Sequence, residues 1–211
     1  LPNYGGDTTQ MFETKQELEK LGQKADIALG PQKIDKYEDY DIIHLFNIQT
    51  AKFSYKEGIK VKKAKKPLVL SPIWFDFYDD FYDSLIEYSR KNRSFPYSLL
   101  SEMNTRRHRF MQKTKIKSIQ LKLVNMADSL LPNSQIEAKE LKKYFSIHEN
   151  KILVVYNGVS ADFLEEKDYP LPSELKDLKI ESKNFALQVG GINSGKNVIS
   201  SIKACKSLDI P

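Results

Sequence analysis

Apolar and polar positions along this chain change period from block to block, and the blocks predict strands alternating with helices. The clearest run is Ala127–Phe163, ADSLLPNSQIEAKELKKYFSIHENKILVVYNGVSADF. Ser129–Pro132 is a short apolar stretch, and Pro132 stops any helix arriving from upstream. Ser134 and Glu137 make an S-x-x-E capping box, which starts a helix at Gln135. Ile136, Leu141, Tyr144 and Phe145 lie close to one face of it. Ile152–Tyr156 is then a continuous β-branched and apolar run, the pattern of a parallel strand buried on both sides. Asn157-Gly158 ends it with a pair that tolerates positive φ and turns the chain. Strand tips of this kind are where open α/β sheets bind their ligands.

The same reading extends to both ends. Gly5-Gly6 opens a helix that Asp7 or Thr8 can cap, with Met11, Thr14, Leu18 and Leu21 on one face and Gly22 as its stop. Ala25–Leu29, Asp41–Phe46 and Pro67–Ser71 read as strands, and Tyr97 to Met126 as largely helical with Ile116, Ile119, Leu123 and Met126 aligned. Lys167 to Asn184 has the composition of a connector. After it, Phe185–Val189 reads as a strand, Gly190–Gly195 as a glycine-rich loop and Lys196–Leu208 as an amphipathic helix. The expected class is α/β, a Rossmann-like doubly wound parallel sheet over residues 1–182, with the first strand, loop and helix of a second domain over 183–211.

Composition narrows the partners. With 40% hydrophobic and 29% charged residues the chain is of globular type, and no apolar run reaches membrane-spanning length. Cys205 has no second cysteine to pair with, which fits a reducing compartment. The net charge of +5 is uneven. Lysines crowd 60–66, and arginines gather at Arg90–Arg93 and Arg106–Arg109, a distribution suited to an anionic membrane surface, nucleic acid or a phosphorylated ligand, or else to a solvated face. The aromatics Trp74, Phe75, Phe77, Tyr78, Phe81 and Tyr82 are interleaved with Asp76, Asp79, Asp80 and Asp83. Those carboxylates argue against nucleic acid there. They suit either a sugar, whose C–H faces stack on rings, or a helix with an aromatic core side.

"ADSLLPNSQIEAKEL" followed by "KILVVYNGVSADF" resembles the end of the N-terminal domain of family 4 glycosyltransferases, which have the GT-B fold. The resemblance extends in order to the Gly5-Gly6 loop, to the DIIHLF strand and to Gly190–Asn197. It implies transfer of a sugar from a UDP- or GDP-linked donor to a saccharide or lipid-linked acceptor, with retention and with neither a metal nor another cofactor. It places the protein in the cytoplasm or on the inner membrane face, in glycan biosynthesis. By the same resemblance Gly5, Gly6, Gly190 and Lys196 contact the donor diphosphate, His44 is the acceptor-side candidate for catalysis, and Trp74, Asp76, Asn157 and Gly158 line the acceptor side. Cations and a helix N-terminus there stabilise the leaving nucleotide diphosphate.

Three positions depart from that family. Phe46 stands where a second His is usual, Trp74–Asp76 where a His-Asp pair is common, and Gly191 where the diphosphate-binding Arg belongs. The resemblance also implies a first strand before Leu1 and an E-x7-E pair beyond Pro211, so the 211 residues alone are expected to be inactive as a transferase. Two other classes remain. Gly190–Lys196 fits the G-x-x-x-x-G-K phosphate loop, although Asn197 replaces its metal-binding Ser or Thr. A binding module without catalysis, led by the basic clusters, is the third.

Overall fold

The structure, a computed structural model, describes residues 5–30, 34, 36–76, 78–159, 185–191, 196–208 and 210. The chain divides into two compact units, Leu1–Phe75 with Met111–Gly158, and Asp76–Phe110 with Val159–Pro211. The described elements, in chain order, are α1 (Gly6–Lys20), β1 (Ile43–Phe46), α2 (Ala51–Lys63), β2 (Leu68–Ser71), α3 (Tyr78–Asn92), α4 (Tyr97–Met126), β3 (Ser129–Leu130), α5 (Gln135–Phe145) and α6 (Val198–Ser207). Short 3-10 turns lie at Tyr37–Asp39 and Glu149–Lys151.

In the first unit β1, β2 and β3 form a parallel sheet in that order, with Ile43 opposite Leu68 and Val69 opposite Ser129. Alternation along each strand sorts the side chains. Ile43, Leu45, Leu68 and Leu70 share one face, and His44, Phe46, Val69 and Ser71 share the other. Leu68, Leu70, Leu130, Val61, Leu123 and Leu141 are fully buried and form the centre of one hydrophobic core. Gly58 of α2 lets that helix approach closely, because a Cβ there would meet Met126 Sδ at 3.1 Å and Leu123 Cδ1 at 3.2 Å. The fold is mixed α/β around a parallel sheet, compatible with a Rossmann-like domain.

Local signals account for most boundaries. Gly22, at φ 81°, ends α1 in a Schellman pattern, with Gln23 N–H donating to Leu18 O and Gly22 N–H to Glu19 O. Ser134 caps α5, its Oγ accepting from Glu137 N–H at 3.1 Å. Ser134→Ala is expected to cost about 1 kcal/mol of unfolding free energy, the usual value of an N-cap; chemical denaturation of the two proteins measures it.

Several expectations need correction. Ala25–Leu29 joins no ladder among the described residues, although Ala25, Ile27 and Leu29 are half-buried and their neighbours exposed, as in a strand. Ile152–Tyr156 runs parallel to β3 through one bridge, Leu130 to Ile152, and through Leu153 N–H to Leu130 O and Val155 N–H to Pro132 O. It is not buried on both sides: Leu153 is 64% and Tyr156 65% exposed. An apolar run reports the tendency to be covered and not what covers it. Neither Asn157 nor Gly158 takes positive φ. On α5 Ile136 is 77% exposed and Ala138 takes the buried place, since 138, 141 and 145 keep helical spacing and 136 does not. No residue of α1 is buried, and its N-cap is Gly5, which has no side chain to cap it; Asp7, inside the first turn, accepts from Thr8 N–H at 2.9 Å instead.

In the second unit α3 and the first half of α4 form an antiparallel pair. Arg90 donates from Nε and Nη2 to the two carboxylate oxygens of Glu102, each at 2.8 Å. Tyr82 Oη meets His108 Nδ1 at 2.9 Å, and Arg109 pairs with Asp83 at 2.8 Å. Residues 185–189 form no strand among the described residues, and α6 begins two residues later than expected. The connector 167–184 and the glycine-loop residues 192–195 lie outside the described residues, as do residues 1–4, 77 and 160–163.

Candidate functional site at the carboxyl edge of the sheet

All three strands point their carboxyl ends the same way, so the segments after Phe46, Ser71 and Leu130 share one edge. Backbone bonds continue past the strands and fix these tips: Asn47 N–H to Ser71 O, Ile48 N–H to Pro72 O and Leu131 N–H to Leu70 O, all between 2.8 and 2.9 Å. Asn47 and Ile73 have positive φ, 68° and 47°. For β-branched Ile73 that is a strained conformation, of the kind concentrated at binding edges.

The first turns of α1 close over this edge. Asn47 Nδ2 donates to Asp7 Oδ2 at 2.8 Å while its Oδ1 accepts from Gln49 N–H at 2.7 Å. Gln10 Nε2 donates to Asn133 Oδ1 at 2.9 Å. Asp7 and Gln10 are three residues apart and share a helix face, so α1 ties the tips of the two outer strands. Gly5 permits this, because a Cβ there would lie 2.8 Å from Asp7 Oδ1. An anion arriving at Gly5-Gly6 therefore meets the Asp7 carboxylate as well as backbone N–H groups.

The middle strand tip is held from α5. Glu137 Oε1 accepts from Trp74 N–H at 2.8 Å, and its Oε2 accepts from Asn133 N–H at 2.6 Å. Its carboxylate thus joins the tips of β2 and β3.

His44 lies half-buried beneath this edge, on the face of the sheet it shares with Phe46, Val69 and Ser71. Its Nε2 is 2.9 Å from Ser71 Oγ, and its ring stacks on Phe46 with centroids 4.1 Å apart. Burial lowers its pKa from the usual 6.5 to about 4, so the imidazole is neutral near pH 7. Among the described residues Nδ1 has no hydrogen-bond partner. A neutral ring with one nitrogen on Ser71 can hydrogen-bond a hydroxyl through the other, and it is a poor cation for phosphate.

Of the residues expected at the site, Gly5, Gly6 and His44 come together at or below this edge. Trp74 is 8% exposed, with its ring against Tyr144 at 4.6 Å and Phe145 at 5.4 Å. Asp76 is half-buried just beyond, and Asn157 and Gly158 are exposed at the end of the segment beside β3. Gly190 and Lys196 belong to the other unit, where Gln188 Nε2 donates to Lys196 O at 2.8 Å. Sequence reasoning missed Gln10, Asn47, Ser71 and Asn133. An Asn directly after an apolar strand run was the available signal for two of them. Among the described residues no three His, Cys, Asp or Glu side chains gather as a metal site.

No protein-family model matches the chain. A curated Campylobacter jejuni protein, N-acetylgalactosamine-N,N'-diacetylbacillosaminyl-diphospho-undecaprenol 4-alpha-N-acetylgalactosaminyltransferase, is 33% identical over 78 residues. That match covers 37% of this chain and 20% of the relative. The chain is thus similar over that part to a glycosyltransferase whose named acceptor is a lipid-linked saccharide.

Proposed function

We propose that this chain is the acceptor-side part of a family 4-like GT-B glycosyltransferase. It would transfer a sugar from a UDP- or GDP-linked donor to a saccharide carried on a lipid diphosphate. The observation that carries this reading is the amide-rich edge of Asn47, Asn133 and Gln10 above a neutral His44, beside the partial likeness to a transferase. Amides and a neutral imidazole are partners for sugar hydroxyls, which need both donors and acceptors and carry no charge. His44 Nδ1 would orient the acceptor hydroxyl. Gly190, Lys196 and the start of α6 would receive the donor diphosphate. Charge on the departing diphosphate would be met by the lysine and the helix N-terminus, in a retaining, metal-independent transfer.

The test uses the product of the full reading frame, presented with UDP- and GDP-sugars and a polyprenyl-diphosphate-linked saccharide. Transfer is expected, and His44→Ala should lower kcat/KM by about tenfold or more, the value of one hydrogen bond to a bound hydroxyl. Magnesium-dependent ATP or GTP binding that Lys196→Ala abolishes, with no response to nucleotide sugars, would replace this reading with a phosphate-loop one.

A further inference from the structure

In the second unit the first half of α4 is amphipathic the wrong way round for a part of a core. The half-buried positions there are Ser98, Ser101, Glu102, Thr105 and Arg109, all polar. The outward positions include Leu99, Leu100, Met103 and Phe110, with Phe110 72% exposed, interspersed with Asn104, Arg106, Arg107 and His108. α3 buries apolar side chains but leaves others outside. Tyr82, Ile86 and Ser89 are buried, while Phe81, Leu85 and Tyr88, one position ahead of them on the helix, are exposed. Between the helices Phe95 is 79% exposed, with Tyr97 beside it. Contiguous exposed apolar surface of this kind marks an interaction site.

Charge identifies the partner. Along the sequence the residues leading into and opening α3 are acidic, Asp76, Asp79, Asp80 and Asp83, and Asp83 pairs with Arg109. From 87 to 107 the charged residues are Arg90, Lys91, Arg93, Arg106 and Arg107 against two carboxylates, Glu87, which pairs with Lys91 at 2.6 Å, and Glu102. The Glu102 carboxylate is mostly buried and neutralised twice, by Arg90 and by Arg106, each at 2.8 Å. The tip is therefore cationic around an aromatic and aliphatic patch, and the cations flank the apolar residues. Basic side chains beside Phe, Tyr and Leu are the composition of a surface that lies in the headgroup region of an anionic bilayer.

We propose that the α3–α4 tip, centred on Phe95, Leu100, Met103 and Arg107, docks the protein onto an anionic lipid bilayer. Apolar side chains enter the headgroup boundary, and Arg93 and Arg107 meet lipid phosphates. This rests on the hairpin and not on the transferase reading, so either can fail without the other.

The experiment is vesicle co-sedimentation of the 211-residue chain. Phosphatidylcholine vesicles with and without phosphatidylglycerol are compared, alongside sedimentation velocity of the protein without lipid. Binding is expected with phosphatidylglycerol and weak without it. F95S/L100S, and separately R93E/R107E, should each weaken that binding at least tenfold with unchanged circular dichroism, since all four side chains leave the surface without disturbing a core. Absence of binding to phosphatidylglycerol vesicles, or binding indifferent to both pairs of substitutions, would overturn the proposal. So would a dimer without lipid that F95S/L100S dissociates, because the patch would then belong to a second copy of the chain.

Discussion

Replacing Glu137 by Ala is expected to destabilise the first unit by about 3 kcal/mol and to loosen the sheet edge at the same time. The carboxylate accepts two backbone N–H groups that no other described group satisfies, Trp74 N–H at 2.8 Å and Asn133 N–H at 2.6 Å. Hydrogen bonds to a charged group are each worth roughly 1.5–3 kcal/mol net, and a buried donor left without a partner costs comparably. Trp74 is buried, so its amide has little access to replacement water. Glu137→Gln keeps one acceptor oxygen and should recover part of the loss. Denaturant titration of the three proteins measures this. Equal stability of Glu137→Ala and the parent would show that the clamp contributes nothing. Because Asn133 also receives Gln10 of α1, the same substitution should raise amide exchange at 131–133 and at 72–74 more than in α2.

The capping box made Glu137 conspicuous in the sequence, yet its pattern assigns the carboxylate to the N–H of Ser134, its own helix cap. The structure spends it on the neighbouring Asn133 and on Trp74, 63 residues away. That contrast runs through the molecule. Local rules located the start of α5 at Gln135, the span of α4 and the Gly22 stop of α1, because capping and helical spacing act within a few residues. The edge cluster was not legible in this way. Gln10 and Asn133 are 123 residues apart, and Asn47 meets Asp7 across 40. Only the parallel sheet brings these segments to one edge. The length of α4 was readable, but the reversal of its outward face was not. The apolar residues of its first half and those of its second, Leu123 and Val124, look alike as letters, and only the second set is buried.

His44 is expected to make the protein lose stability as pH falls from about 6.5 toward 4. The usual histidine gains a charged partner on folding and has a raised pKa; here burial lowers it from 6.5 to about 4. Between those values the unfolded chain binds a proton that the folded chain refuses, so protonation favours unfolding. The contribution is complete above about pH 6.5 and reaches its full loss, roughly 3 kcal/mol, once pH drops below the folded pKa. From about pH 7 to about pH 5 the loss should be about 2 kcal/mol. Carboxylates such as Asp128 and Glu102, whose pKa values are lowered in the folded protein, act further down in acid and do not share this window. His44→Gln removes the titrating group and retains a side chain able to reach Ser71 Oγ. Its stability should therefore change less between about pH 7 and about pH 5 than that of the parent, by about 2 kcal/mol. Two parallel stability curves would mean that the imidazole is solvated enough to titrate normally. It would then ionise near neutrality, and the case for an uncharged hydrogen-bonding ring under the sheet edge would fall with it.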